Sequence, residues 1–89
     1  MPVDAIIQLT ALKVKKMDKL QNIIEANNRK LHEFANRRDN LTDDEILKYY
    51  KLISENKELL DLYKKTLEHV RQQIALLKNQ MEMEEESNG

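Results

Sequence analysis

The chain has no cysteine and no tryptophan, a single proline and a single glycine among 89 residues. Without cysteine there is no disulfide framework, no thiolate zinc site and no thiol nucleophile. The only glycine is Gly89, so no glycine-rich loop can cradle a phosphate. The near-absence of turn formers argues against a β-rich fold. Long apolar runs are missing too, and nothing approaches the roughly 18 apolar residues of a membrane span. The opening Met1-Pro2-Val3-Asp4-Ala5-Ile6-Ile7 lacks the basic start of a signal peptide, which predicts an intracellular, cytoplasmic protein.

What is abundant is Leu, Lys, Glu, Asn and Ile, with 35% of residues charged. That is the composition of long helices and coiled coils. The net charge of −1 hides an uneven distribution. Residues 1–38 carry eight Lys/Arg and four Asp/Glu, whereas residues 39–89 carry seven and twelve. The halves attract each other, and the balance disfavours nucleic acid as a partner.

One break punctuates the chain, at Arg38-Asp39-Asn40-Leu41-Thr42-Asp43-Asp44-Glu45. Thr42 and Glu45 have the spacing of a capping box, and Leu41 and Ile46 that of a hydrophobic staple. Asp43 and Asp44 put negative charge on the positive end of the helix dipole. Asn40 suits a left-handed terminator for the preceding helix. The spacing predicts a first helix over about 3–38, a turn at 39–42, a second helix over about 43–84, and a disordered acidic tail at 85–89.

Both segments follow a seven-residue repeat. In the second, alternating steps of three and four select Ile46, Tyr49, Ile53, Asn56, Leu60, Tyr63, Leu67, Val70, Ile74, Leu77 and Met81. In the first they select Val3, Ile6, Thr10, Lys13, Met17, Leu20, Ile24, Asn27, Leu31 and Phe34, with Ile7, Val14 and Ala35 widening the stripe. A turn this short forces the helices antiparallel. The expected fold is all-α, a long antiparallel two-helix hairpin of coiled-coil type that dimerises into a four-helix bundle.

Folding about residue 40 brings Asn27 close to Asn56, where paired amides would set the axial register. A second apolar face, formed by Leu9, Leu12, Ile23, Leu52, Leu59, Leu62 and Leu76 with Ala5 and Ala26, is the expected interface with a partner. On the opposite flank Lys57, Lys64, Arg71 and Lys78 recur every seventh residue. Asp61, Glu68 and Glu82 stand four residues after three of them, so intrahelical ion pairs are expected. Tyr49, Tyr50, Tyr63 and Phe34 are expected in the aromatic core.

No catalytic, cofactor-binding or metal-binding constellation is present. His32 and His69 fall on outward positions with no Ser, Asp or second His at a useful spacing. Two helical enzyme patterns fail on named residues. Where the helical chorismate mutases carry a leading Arg and a second Asp, this chain has Lys13 and Gln21. The Ser-x-Glu-Leu-Asp mark of sporulation aspartyl-phosphate phosphatases finds Ser54, Glu58, Leu59 and Asp61 at the wrong spacing. The architecture resembles secretion co-chaperones and short hairpin adaptors at the level of fold alone. The expected function is non-enzymatic: an assembly factor, adaptor or small chaperone subunit acting by helix-on-helix burial against a second copy or a helical partner. The alternative is a regulator touching nucleic acid or another phosphate-bearing partner through the Lys57–Lys78 line.

Overall fold

The computed structural model describes the backbone of residues 2–88 and the side chains of residues 2–85. Two helices, α1 (Val3–Asn36) and α2 (Asp43–Asn88), pack antiparallel around a short 3₁₀ turn at Arg38–Asn40. No glycine or proline interrupts either helix, so the hydrogen-bond ladder runs unbroken from end to end. The hairpin measures 69 × 18 × 14 Å. Its radius of gyration is 20.1 Å, against about 12 Å for a compact domain of this length.

The helix starts differ. α1 begins after Pro2, whose side chain makes no capping hydrogen bond. α2 begins with a closed capping box. Thr42 Oγ1 accepts from the Glu45 backbone N–H at 3.2 Å, and the Thr42 N–H donates to Glu45 Oε1 at 3.2 Å. The opposite carboxylate oxygen of Glu45 accepts from Arg37 at 2.6 Å, which ties the end of α1 to the start of α2. Leu41 and Ile46 line one hollow with Phe34 and Tyr49. α1 ends at Asn36, without the left-handed Asn40 expected from the sequence: no described residue has positive φ. The chain tightens into the 3₁₀ turn, where the Asn40 N–H donates to the Arg37 carbonyl at 2.8 Å.

The Thr42–Glu45 bonds and Arg37 hold the Glu45 carboxyl below its ordinary value of 4.5. A lowered folded-state pKa adds stability that is complete above the unfolded value and is lost as pH falls through the folded one. Thr42→Ala should cost about 1 kcal/mol near neutral pH through loss of the N-cap hydrogen bond. The gap between it and the parent, followed by denaturation, should narrow below pH 4.5. A pH-independent gap would mean that the carboxylate takes no part in the cap.

The seam on α1 follows the expected repeat. All ten residues from Val3 to Phe34 in that series are buried or half-buried, with Ile6, Leu20 and Ile24 the most enclosed. On α2 the repeat holds but its phase differs. Tyr49, Asn56, Tyr63, Val70 and Leu77 face α1 as expected, yet the alternating positions are Glu45, Leu52, Leu59, Thr66 and Gln73. Ile46, Ile53, Leu60, Ile74 and Met81 lie outside the seam and are exposed. Polar members are tolerated inside because they are paired. The buried Thr66 hydroxyl donates to the Leu62 carbonyl at 2.8 Å. Thr10 donates to the Ile6 carbonyl at 2.7 Å and stands 3.1 Å from Gln73 Oε1. Among the described residues no buried side-chain nitrogen or oxygen lacks a partner.

Phe34 and Tyr49 meet edge to face at the turn end, with centroids 6.4 Å apart. Tyr50, expected in the aromatic core, is instead 64% exposed, because it sits one residue beyond the seam column.

Candidate interaction surface

The midpoint of the seam holds a polar cluster. Asn27 Nδ2 donates to Asn56 Oδ1 at 2.9 Å, and Asn56 Nδ2 donates to Asn28 Oδ1 at 2.9 Å. Asn56 is 6% exposed and spends both ends of its amide on α1. The pairs 27 and 56, 10 and 73, and 34 and 49 each sum to 83, so residue n stands level with about residue 83 − n.

The hairpin encloses little apolar volume. Among the described residues the buried apolar side chains are Ile6, Leu20, Ile24 and Val70, and no large side chain is fully buried. The accessible surface is 7342 Å², about a third above the ~5,500 Å² expected for a compact monomer of this mass.

The expected interface divides between seam and surface. Leu52 and Leu59 are half-buried in the hairpin's own seam, so they are not available as assigned. Leu9, Leu12, Ile23, Leu62 and Leu76 are exposed. On that side Lys16, Lys30, Lys48, Glu55 and His69 occupy the same columns and interrupt the apolar surface.

The other flank is more continuous. Ile46, Ile53, Leu60, Leu67, Ile74 and Met81 form a column of six apolar residues at seven-residue spacing along α2. All but the half-buried Leu67 are between 36% and 61% exposed. Across from them on α1 lie Ile7, Val14, Gln21, Asn28 and Ala35, and shallow grooves join the two columns. One holds Ile7 and Met81, the next Gln21 and Leu60, and the last Ala35 and Ile46.

The cations Lys57, Lys64, Arg71 and Lys78 border this apolar column, each three or four residues from its members. The intrahelical pairs expected with Asp61, Glu68 and Glu82 are not formed. The only ion pair among the described residues is Arg37–Glu45. His32 and His69 are exposed, and no group of three His, Asp or Glu is placed to hold a metal among the described residues. No described helix is long and apolar enough to cross a membrane. The expected tail at 85–89 begins inside α2, which runs to Asn88; Gly89 and the side chains of residues 86–88 lie outside the described residues. No protein-family model, curated protein or solved structure matches the chain.

Proposed function

We propose that this chain is a non-enzymatic interaction module, an assembly factor, adaptor or chaperone subunit that works by burying an apolar helix face against other helices. The observation that carries the reading is the six-residue apolar column on α2, five members of which the hairpin's own packing leaves exposed. Single exposed leucines are ordinary, whereas a continuous column along the whole length of a helix gains free energy by leaving water. Column spacing of seven residues is also the pattern by which one helix offers a seam to another.

A photo-crosslinking residue at Leu60 should form protein adducts in the cell, while the same residue at Lys65, on the far side of α2, should not. Equal labelling from both positions would overturn the reading. The phosphate-binding alternative predicts affinity for a DNA duplex that falls by orders of magnitude between low and moderate salt. The interaction reading predicts Leu60 adducts that persist across that range.

A further inference from the structure

We infer that the occupant of this face is a second copy of the same chain, docked with both turns at one end so that α1 of each copy lies on α2 of the other. The inference rests on the interaction reading above and adds the partner and its orientation.

The argument is charge complementarity at matched heights. One step beyond Ile7, Val14 and Gln21, the outer edge of α1 carries Asp4, Asp18 and Glu25, all exposed. One step beyond the apolar column, the outer edge of α2 carries Lys57, Lys64, Arg71 and Lys78, also exposed. This one face therefore has an acidic rim and a basic rim, and between them the apolar α2 column and the α1 column in which Gln21 and Asn28 interrupt Ile7, Val14 and Ala35. None of these seven charges belongs to an ion pair within the described hairpin.

Two face-to-face arrangements have two-fold symmetry. If the axis crosses the helices, α1 packs on α1 and α2 on α2, which sets acid on acid and base on base. If the axis runs along the helices, α1 packs on the partner's α2, in the antiparallel sense, and each acidic rim meets a basic one. Heights then decide. Residues level with each other sum to about 83 within a hairpin, and rotation about a lengthwise axis leaves every height unchanged. Asp4 thus stands opposite the second copy's Lys78, Asp18 opposite its Lys64, and Glu25 opposite its Lys57. Each of these pairs sums to 82, which is within about one residue rise, ~1.5 Å, of level. Ala11 and His32 complete the α1 edge, opposite Arg71 and Tyr50, so three of the four cations meet an acid. Because both edges repeat every seven residues, the three matches are one agreement in height, and the lengthwise axis alone turns it into opposite charges.

The area is adequate. A strip the length of α1, about 50 Å, and 18 Å wide covers about 900 Å² on each copy, close to that of a standard specific interface.

Sedimentation of the parent chain at ~100 μM should give twice the monomer mass, and ~100-fold dilution should release monomer. Asp18→Lys with Glu25→Lys should weaken the dimer at least about tenfold, and so should Lys57→Glu with Lys64→Glu. Mixing these two variants, or combining all four changes in one chain, should restore it. Circular dichroism on each variant separates lost association from lost folding. In the crosswise arrangement the α1 changes never meet the α2 changes of a second copy, so double variants that dimerise like the parent, or a four-change chain that regains nothing over the two double variants, would overturn the orientation. A folded parent that stays monomeric at ~100 μM would overturn the second copy. Leu60 adducts to other proteins would then leave the interaction reading standing, and their absence as well would remove both.

Discussion

Leu20→Ala should cost the hairpin about 3 kcal/mol, while Leu60→Ala should cost less than about 1 kcal/mol in dilute solution. Both remove the same atoms from a helix interior position seven-fold related to its neighbours, so helix propensity cancels. The difference lies in what surrounds them. Leu20 is 7% exposed and packs in the most enclosed stretch of the seam, so its truncation opens a cavity. Leu60 is 43% exposed and gives up only part of its transfer free energy. Concentration should then separate the two again. If the apolar column is covered by a second copy, the Leu60→Ala penalty grows with protein concentration, because mass action stabilises only the parent dimer. Denaturant melts at ~1 μM and ~100 μM read this directly, with the Leu20→Ala penalty as the constant reference. A Leu60→Ala loss as large as that of Leu20→Ala at the lower concentration would place the column in the monomer's own core.

The contrast between these two leucines also marks where the sequence stops being legible. Two long helices, an antiparallel hairpin and a break at Thr42 follow from an uninterrupted seven-residue repeat and one capping box. The α1 stripe is legible for the same reason, since the pair of columns with the most large apolar residues, Val3, Ile6, Met17, Leu20, Ile24, Leu31 and Phe34, is also the pair that the hairpin buries. On α2, two neighbouring columns flank the shared one that runs from Tyr49 to Leu77. Ranking by apolar content selects the column from Ile46 to Met81, and the hairpin uses the one from Glu45 to Gln73. Periodicity weighs side chains one at a time, whereas the helix rotates to suit its partner. Thr66 and Gln73 are admitted because a carbonyl one turn back and a threonine across the seam answer their polar atoms. Those partners belong to the folded arrangement and leave no mark in the repeat. The consequence for the surface is direct: a rotation of α2 by one column turns its most apolar stripe to water and carries Leu52 and Leu59 inward. The end of α1 was hidden for a related reason, because the Arg37–Glu45 pair and a 3₁₀ turn close it without the positive φ that Asn40 suggests.

Asn56 should be the most sensitive polar position in the chain. Asn56→Ala is expected to destabilise the hairpin by about 2–4 kcal/mol, more than the removal of a single exposed hydrogen bond. Two bonds are lost at once, to Asn27 and to Asn28, and the half-buried Asn27 amide is left facing apolar surroundings. Asn28 is exposed and exchanges its lost bond for water, so the penalty resides mainly in Asn27. It follows that Asn27→Leu with Asn56→Leu should recover the loss and exceed the parent in stability, since neither member then remains unpaired. The cost of that gain should appear in register. With the only amide pair at the centre of the seam gone, a slip of one heptad keeps apolar columns facing and loses little. Because the chain has no native cysteine, Thr10→Cys with Gln73→Cys reports register cleanly at a site 17 residues, about 25 Å, from Asn27. These two cysteines should oxidise to an intramolecular disulfide readily beside the paired asparagines and less completely beside the paired leucines. An Asn56→Ala loss below about 1 kcal/mol, or equal oxidation in both backgrounds, would show that the amides are solvated and that apolar packing alone sets how the helices align.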